Sequence, residues 1–125
     1  MLFTDSLKKN NDFVRVYKNG RYFVSKNLIL YLLSGGSPGY NALGVTASKK
    51  VGKSVRRNRV RRLIKENYRH FEQFIRAGFL IVFVVRARRD DCIPGYCDIS
   101  REMKGLFLRA GVFDQKKWEI SQNGA

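Results

Sequence analysis

The chain has 125 residues, with 25 Lys+Arg against 10 Asp+Glu and a formal net charge of +15. Disorder pairs high charge with low hydrophobicity, and at 44% hydrophobic this sequence is no disordered basic tail. That charge balance favours nucleic acid as the partner over an acidic membrane surface; no apolar run approaches the roughly 20 residues of a membrane span, and the N-terminus MLFTDSLKKNNDF is no signal peptide. The length suits one domain, residues 1–125, with one core. Cys92 and Cys97 are the only cysteines, expected as reduced thiols in a cytoplasmic protein.

In chain order, Asp12 is placed to cap a short helix whose Phe13, Val16 and Tyr17 share a face, with Gly20 at its end. Residues 22–33, YFVSKNLILYLL, fit a long strand. SGGSPGYN (34–41) is a turn by composition, and ALGVTAS (42–48) fits the next strand. Ser54 then precedes a long helical pattern running to about Ile75, stopped by Gly78. FLIVFVVRA (79–87) is nearly unbroken and apolar, so it is expected to be buried on both faces. RRDDCIPG is a loop. Ile99, Met103, Leu106, Phe107 and Ala110 recur at helical spacing, with Asp98 as cap and Gly111 as stop. Beyond Val112 the chain is polar, and about 115–125 is expected to fray. The expected architecture is a small α+β sandwich, a four-stranded sheet with helices packed on it and two or three strands between the first two helices.

Residues 48–69, SKKVGKSVRRNRVRRLIKENYR, hold Lys49, Lys50, Lys53, Arg56, Arg57, Arg59, Arg61, Arg62, Lys65 and Arg69 against the single acid Glu66. At 100° per residue, Val60, Leu63, Ile64, Tyr68, Phe71, Phe74 and Ile75 gather on one side. Asn58, Arg62, Lys65 and Arg69 line the other, flanked by Arg57 and Arg61 on one side and Arg59 on the other. Charge runs are usually solvated faces, but exposed helices ordinarily mix signs to gain i,i+4 pairs, and this one does not. Guanidinium groups can grip phosphate through two hydrogen bonds, and an Asn amide can hold a neighbouring arginine or meet a sugar or base edge. The run points to RNA or DNA.

This run closely resembles the signature of the bacterial ribonuclease P protein subunit, which centres on an Arg-Asn-Arg triplet, here Arg57, Asn58 and Arg59, with Lys49, Lys50 and Gly52 just upstream. NDFVRVYKNG resembles the family's first helix, LYLL its second strand, ALGVTASKK its third and GFLIVFVVRA its last. The 98–110 segment resembles its final helix. RRDDCIPGYC shows no family pattern. The resemblance implies the order α-β-β-β-α-β-α with a left-handed βαβ crossover, which composition would never suggest. It implies a protein without a catalytic centre, partnered by a large catalytic RNA that removes the 5′ leader of precursor tRNA with Mg²⁺, held mainly by RNA and substrate phosphates. Residues Lys53, Arg56, Arg57, Asn58, Arg59, Arg61, Arg62, Lys65 and Arg69 would then meet the catalytic RNA.

A second surface follows from the same resemblance. Phe13, Tyr17, Tyr31 and Thr46 match positions lining a cleft for the single-stranded leader, where aromatic faces can stack on any base. Lys49, Lys50, Lys53 and Arg86 are candidates for phosphate contacts beside it. Spacing alone favours a core role for the aromatics. The resemblance favours the cleft, for Phe13 and Tyr31 more than for Tyr17.

Other constellations are weak. His70, the only histidine, has no evident partner. Cys92-x4-Cys97 lacks zinc spacing, and Asp90 with Asp91 reads as loop polarity as readily as a metal pair. No Walker loop or nucleophile elbow is present. Two alternatives remain: a basic structural RNA-binding protein, ribosomal or chaperone-like, and a DNA-binding module. The latter would place a short helix and tight turn before the recognition helix, where a strand-like segment stands instead.

Overall fold

The computed structural model describes residues 2–35, 38–87 and 94–123. Its elements are β1 (Thr4–Ser6), α1 (Asn10–Asn19), β2 (Arg21–Val24), β3 (Leu28–Ser34), β4 (Asn41–Thr46), α2 (Ser54–Phe71), β5 (Phe79–Val85), α3 (Tyr96–Ala110) and α4 (Gln115–Asn123). The five strands form one sheet in the order β1-β4-β5-β3-β2. β3 pairs antiparallel with both β2 and β5, whereas β4 runs parallel to both β1 and β5.

The sheet separates two apolar layers because side chains alternate along each strand. Leu28, Leu30 and Leu32 of β3, Leu43 of β4, and Ile81, Phe83 and Val85 of β5 form one core with α2 and α3. From α2 come Val60, Ile64, Tyr68 and Phe71, and from α3 Ile99, Met103, Leu106 and Phe107. On the other face Leu80 and Val82 meet Leu7 and Val16, and α1 covers them. β5 therefore lies between two layers, which explains its unbroken apolar sequence.

Several expectations need correction. The 22–33 segment is a hairpin, not one strand. Ser25 and Asn27 turn the chain, and Glu102 of α3 fixes the turn: its Oε1 accepts from Ser25 Oγ and Asn27 N, both at 2.6 Å, and its Oε2 from Asn27 Nδ2 at 2.6 Å. The sheet has a fifth strand, β1, whose TDS sequence carries no apolar signal. A buried carboxylate helps hold it, Glu72 accepting from Leu2 N at 2.6 Å and Phe3 N at 3.2 Å. Tyr68 adds a hydrogen bond with Thr4 Oγ1 at 2.8 Å. Asp12 does not cap α1: Lys9 occupies that position without a side-chain bond, and Asp12 stands in the first turn. Asp98 acts one turn inside α3, accepting from Gly95 N at 3.0 Å. The long helix ends at Phe71 and tightens into a 3₁₀ turn over Glu72–Phe74. Residues 115–123 are helical rather than frayed, because Trp118 packs onto Phe71, Phe74 and Phe113. Asp90, Asp91, Cys92 and most of the 88–95 loop lie outside the described residues, as does part of the 34–41 turn.

Candidate nucleic-acid interface

α2 carries the basic run with the phase its periodicity predicts. Val60, Ile64, Tyr68 and Phe71 are buried, with Leu63 partly so, and Phe74 and Ile75 continue the buried side past the helix end. Lys53, Asn58, Arg59, Arg62, Lys65 and Arg69 are exposed, and Arg56, Arg57 and Arg61 are half-buried on the flanks. Asn58, Arg61, Arg62, Lys65, Glu66 and Arg69 line one shallow depression of about 330 Å³ along the helix. Asn58 Oδ1 accepts from Arg61 at 3.3 Å, and the same guanidinium donates to Ala47 O at 3.3 Å, so Arg61 is fixed between helix and sheet.

A second, more open hollow of about 660 Å³ lies at the start of α2, lined by Lys49, Gly52, Lys53, Ser54, Val55 and Arg57. Lys49 and Lys50 sit in the 3₁₀ turn Lys49–Val51 that leads into it. Gly52 links that turn to α2 at φ 143°, where a side chain is strained, and an added Cβ would stand 2.4 Å from Arg56 Cδ. Arg57 donates to Ser54 Oγ at 3.1 Å, while its Nε is buried without a hydrogen-bond partner among the described residues. Lys49 is thus grouped with the stripe's beginning.

The aromatic candidates come together across the sheet. Gly44, Val82, Tyr31 and Tyr22 stand in one row on the α1 side, and Thr46, Val84, Ile29 and Val24 form the next. Phe13 lies over Gly44 so closely that an added Cβ would meet its ring carbons at 2.6 Å. Tyr17 packs edge-on against Tyr31, with ring centres 4.9 Å apart, and Phe13 is 6.4 Å from Tyr17. α1 leaves the Thr46 row and the outer tyrosines partly open. Arg86 follows β5 and is exposed, but one of its guanidinium nitrogens donates to Ser25 O at 2.7 Å, tying it to the hairpin turn.

Tyr22 was missed. It is 66% exposed and its ring centre lies 6.0 Å from that of Tyr31. In a single strand, residues 22 and 31 would face opposite sides, because their separation is odd. The hairpin places them on one face, so recognising the Ser25–Asn27 turn was the missing signal.

A family model for ribonuclease P matches residues 1–111. The chain belongs to the ribonuclease P protein family. It is 44% identical over 110 residues to a ribonuclease P protein component of Clostridioides difficile, covering 87% of this chain and 94% of that one. A Staphylococcus aureus RNase P protein structure superposes with a TM-score of 0.73 at 29% identity, covering 86% of this chain and 96% of the other. A second S. aureus structure, described as a mutant with defective mRNA degradation activity, superposes at TM-score 0.75 and 29% identity, covering 86% of this chain and 89% of its own. Membership makes this chain the RNA-binding subunit of ribonuclease P, the tRNA-processing endoribonuclease, with the ribonuclease P RNA as partner. Among the described residues, no helix is long and apolar enough to cross a membrane.

Proposed function

We propose that α2 docks the catalytic RNA through Lys53, Arg56, Arg57, Asn58, Arg59, Arg61, Arg62, Lys65 and Arg69. In the same reading Phe13, Tyr17, Tyr31 and Thr46 bind the 5′ leader of precursor tRNA, with Tyr22 beside them and Lys49, Lys50 and Arg86 near its phosphates. The observation that carries the first half is the exposed cationic row on α2, backed by an apolar opposite face that packs into the core. Such a row gains little from solvent alone, and a phosphate backbone neutralises it. The second half is supported by the open aromatic rows, since stacking on a ring needs no particular base.

The protein's contribution to cleavage is electrostatic and positional. A net charge of +15 offsets repulsion between two polyanions, the catalytic RNA and its substrate. Mg²⁺ is read as held by RNA and substrate phosphates. The proposed setting is the cytoplasm.

The test is cleavage of precursor tRNA by RNA alone, protein alone and both, across a Mg²⁺ series. The protein's benefit should be greatest at low ionic strength and shrink as Mg²⁺ supplies the same screening. Protein alone should not cleave. Nuclease-resistant cleavage by protein alone would overturn the division of labour. A benefit constant at every Mg²⁺ concentration would remove the electrostatic mechanism.

A further inference from the structure

The family match ends at residue 111, and α4 begins beyond it. Trp118 anchors this helix to the end of α2, its ring centre 5.1 Å from that of Phe74 and 5.6 Å from that of Phe71. Lys117 Nζ donates to Gln73 O at 2.9 Å. Between α4, the end of α2 and the start of α3 this leaves a groove of about 260 Å³, walled by His70, Gln73, Tyr96, Ser100, Trp118 and Gln122.

The lining has a definite chemistry. The rings of His70 and Tyr96 meet edge-on at 6.2 Å, and Tyr96 is 38% exposed. The Tyr96 wall is held from below, where the fully buried Asn67 donates from Nδ2 to Tyr96 O at 3.3 Å. Gln73, Ser100, Ser121 and Gln122 add neutral amide and hydroxyl groups to the lining, able both to donate and to accept. Two cations stand at the α4 side, Lys104 Nζ at 4.7 Å from the centre of the Trp118 ring and Lys117 fixed at Gln73, while the acid Glu66 acts on Tyr96 at the opposite wall. Glu119, on α4, is engaged by Gln115 Nε2 at 3.1 Å. The groove begins one residue past Arg69, the last member of the cationic row on α2.

We propose that this groove receives one unpaired nucleotide of the catalytic RNA, extending the α2 interface onto an element outside the family match. Aromatic walls suit a base plane, the amides and hydroxyls suit a base edge, and Lys104 and Lys117 on the α4 side suit an adjoining phosphate. Position favours RNA over a peptide, because the groove continues a surface already matched to a polyanion. This inference rests on the reading of α2 as the docking face, and its test separates the two.

Trp118 is the only tryptophan, so its emission reports on the groove. Full-length protein is titrated with ribonuclease P RNA at fixed low salt, following both Trp118 emission and affinity. A base in the groove should quench the emission. Tyr96→Ala should reduce the quench and weaken binding roughly 5- to 100-fold, the worth of one base–aromatic stack. Gln122 is exposed, so changing it should leave folding intact: Gln122→Glu should weaken binding and Gln122→Lys strengthen it. Unchanged emission at saturation, with Tyr96→Ala and Gln122→Glu binding like the parent while Arg62→Ala binds more weakly, would overturn the groove and leave the α2 reading standing. Parent-like binding by Arg62→Ala as well would overturn both.

Discussion

The cationic row of α2 and the aromatic rows beside α1 are assembled by different means. Along α2 a single helix sets every position, so the row exists wherever that helix exists. The aromatic surface needs α1 seated over Gly44, a hairpin that turns Tyr22 beside Tyr31, and the β4–β5 register that brings Thr46 next to Val84. The first surface is therefore robust to small rearrangements of packing, and the second is sensitive to them. They also differ in chemistry: long charged side chains in solvent on one side, rings partly embedded in an apolar layer on the other.

The largest change should erase the comparison. Ile64 is fully buried between α2 and the sheet, and Ile64→Ala should destabilise the protein by about 2–5 kcal/mol, read by urea unfolding. Both surfaces should then lose binding together as the folded fraction falls.

Gly44→Ala should separate them. The added methyl would meet Phe13 ring carbons at 2.6 Å, and overpacking of this kind costs about 1–3 kcal/mol. Affinity for leader-bearing precursor tRNA should fall, while affinity for the catalytic RNA alone stays at the parent value under conditions where the variant is folded. Equal losses on both would show that the two surfaces are mechanically one.

Tyr68 connects the two halves, since it belongs to α2 and bonds to Thr4 of β1, the strand that leads into α1. Burial pushes its hydroxyl above the usual value of 10.0; the hydrogen bonds with Thr4 and Asn41 oppose this, and Glu72 adds to it. The folded state therefore holds the proton more tightly than the unfolded chain. Stability from this group is fully present below pH 10.0 and is lost as pH rises through the folded value. Tyr68→Phe should flatten the decline in unfolding free energy above that pH, at a cost of about 1 kcal/mol at neutral pH for the lost hydrogen bonds. Tyr96, raised first by partial desolvation and then by Glu66 and Cys97, leaves a residual slope. A decline identical in parent and variant would contradict the buried-hydroxyl account.

The smallest effect concerns Asn58. Its bond to Arg61 is exposed and 3.3 Å long, so Asn58→Ala should change folding stability by less than about 0.5 kcal/mol. Its effect should instead be on RNA affinity, by freeing Arg61 and removing an amide from the row. Filter binding alongside thermal unfolding reads both.

What could be read from the sequence follows the same division. The α2 row, the buried strand β5 and the α3 core were legible because each is a local period, 3.6 residues or an unbroken apolar run. β1 was not, since Thr4, Asp5 and Ser6 carry no apolar pattern and their placement depends on β4 pairing and on Glu72 and Tyr68, distant in sequence. The β2–β3 hairpin was read as one strand because its turn residues, Ser25 and Asn27, owe their geometry to Glu102 on α3. α4 was read as a fraying tail because one Trp in a polar stretch gives no stripe, yet that ring meets three aromatic partners. The members of the cleft reached the candidate set by resemblance. Their spacing alone pointed to core, and Phe13 and Tyr31 do pack partly against the apolar layer.

The most direct test compares two variants in the assembled holoenzyme, Arg62→Ala/Arg69→Ala and Phe13→Ala, each bound to precursor tRNA and to mature tRNA lacking the leader. Assembly with the catalytic RNA is titrated in parallel. The α2 variant should weaken assembly and flatten its salt dependence by up to about one log–log unit for each lost phosphate contact. Phe13→Ala should assemble normally and lose roughly 1–3 kcal/mol of affinity for precursor tRNA while mature tRNA binds as before. A Phe13→Ala protein that is folded yet loses precursor and mature tRNA equally, or an α2 variant that assembles with parent affinity and salt slope, would contradict the two-surface account.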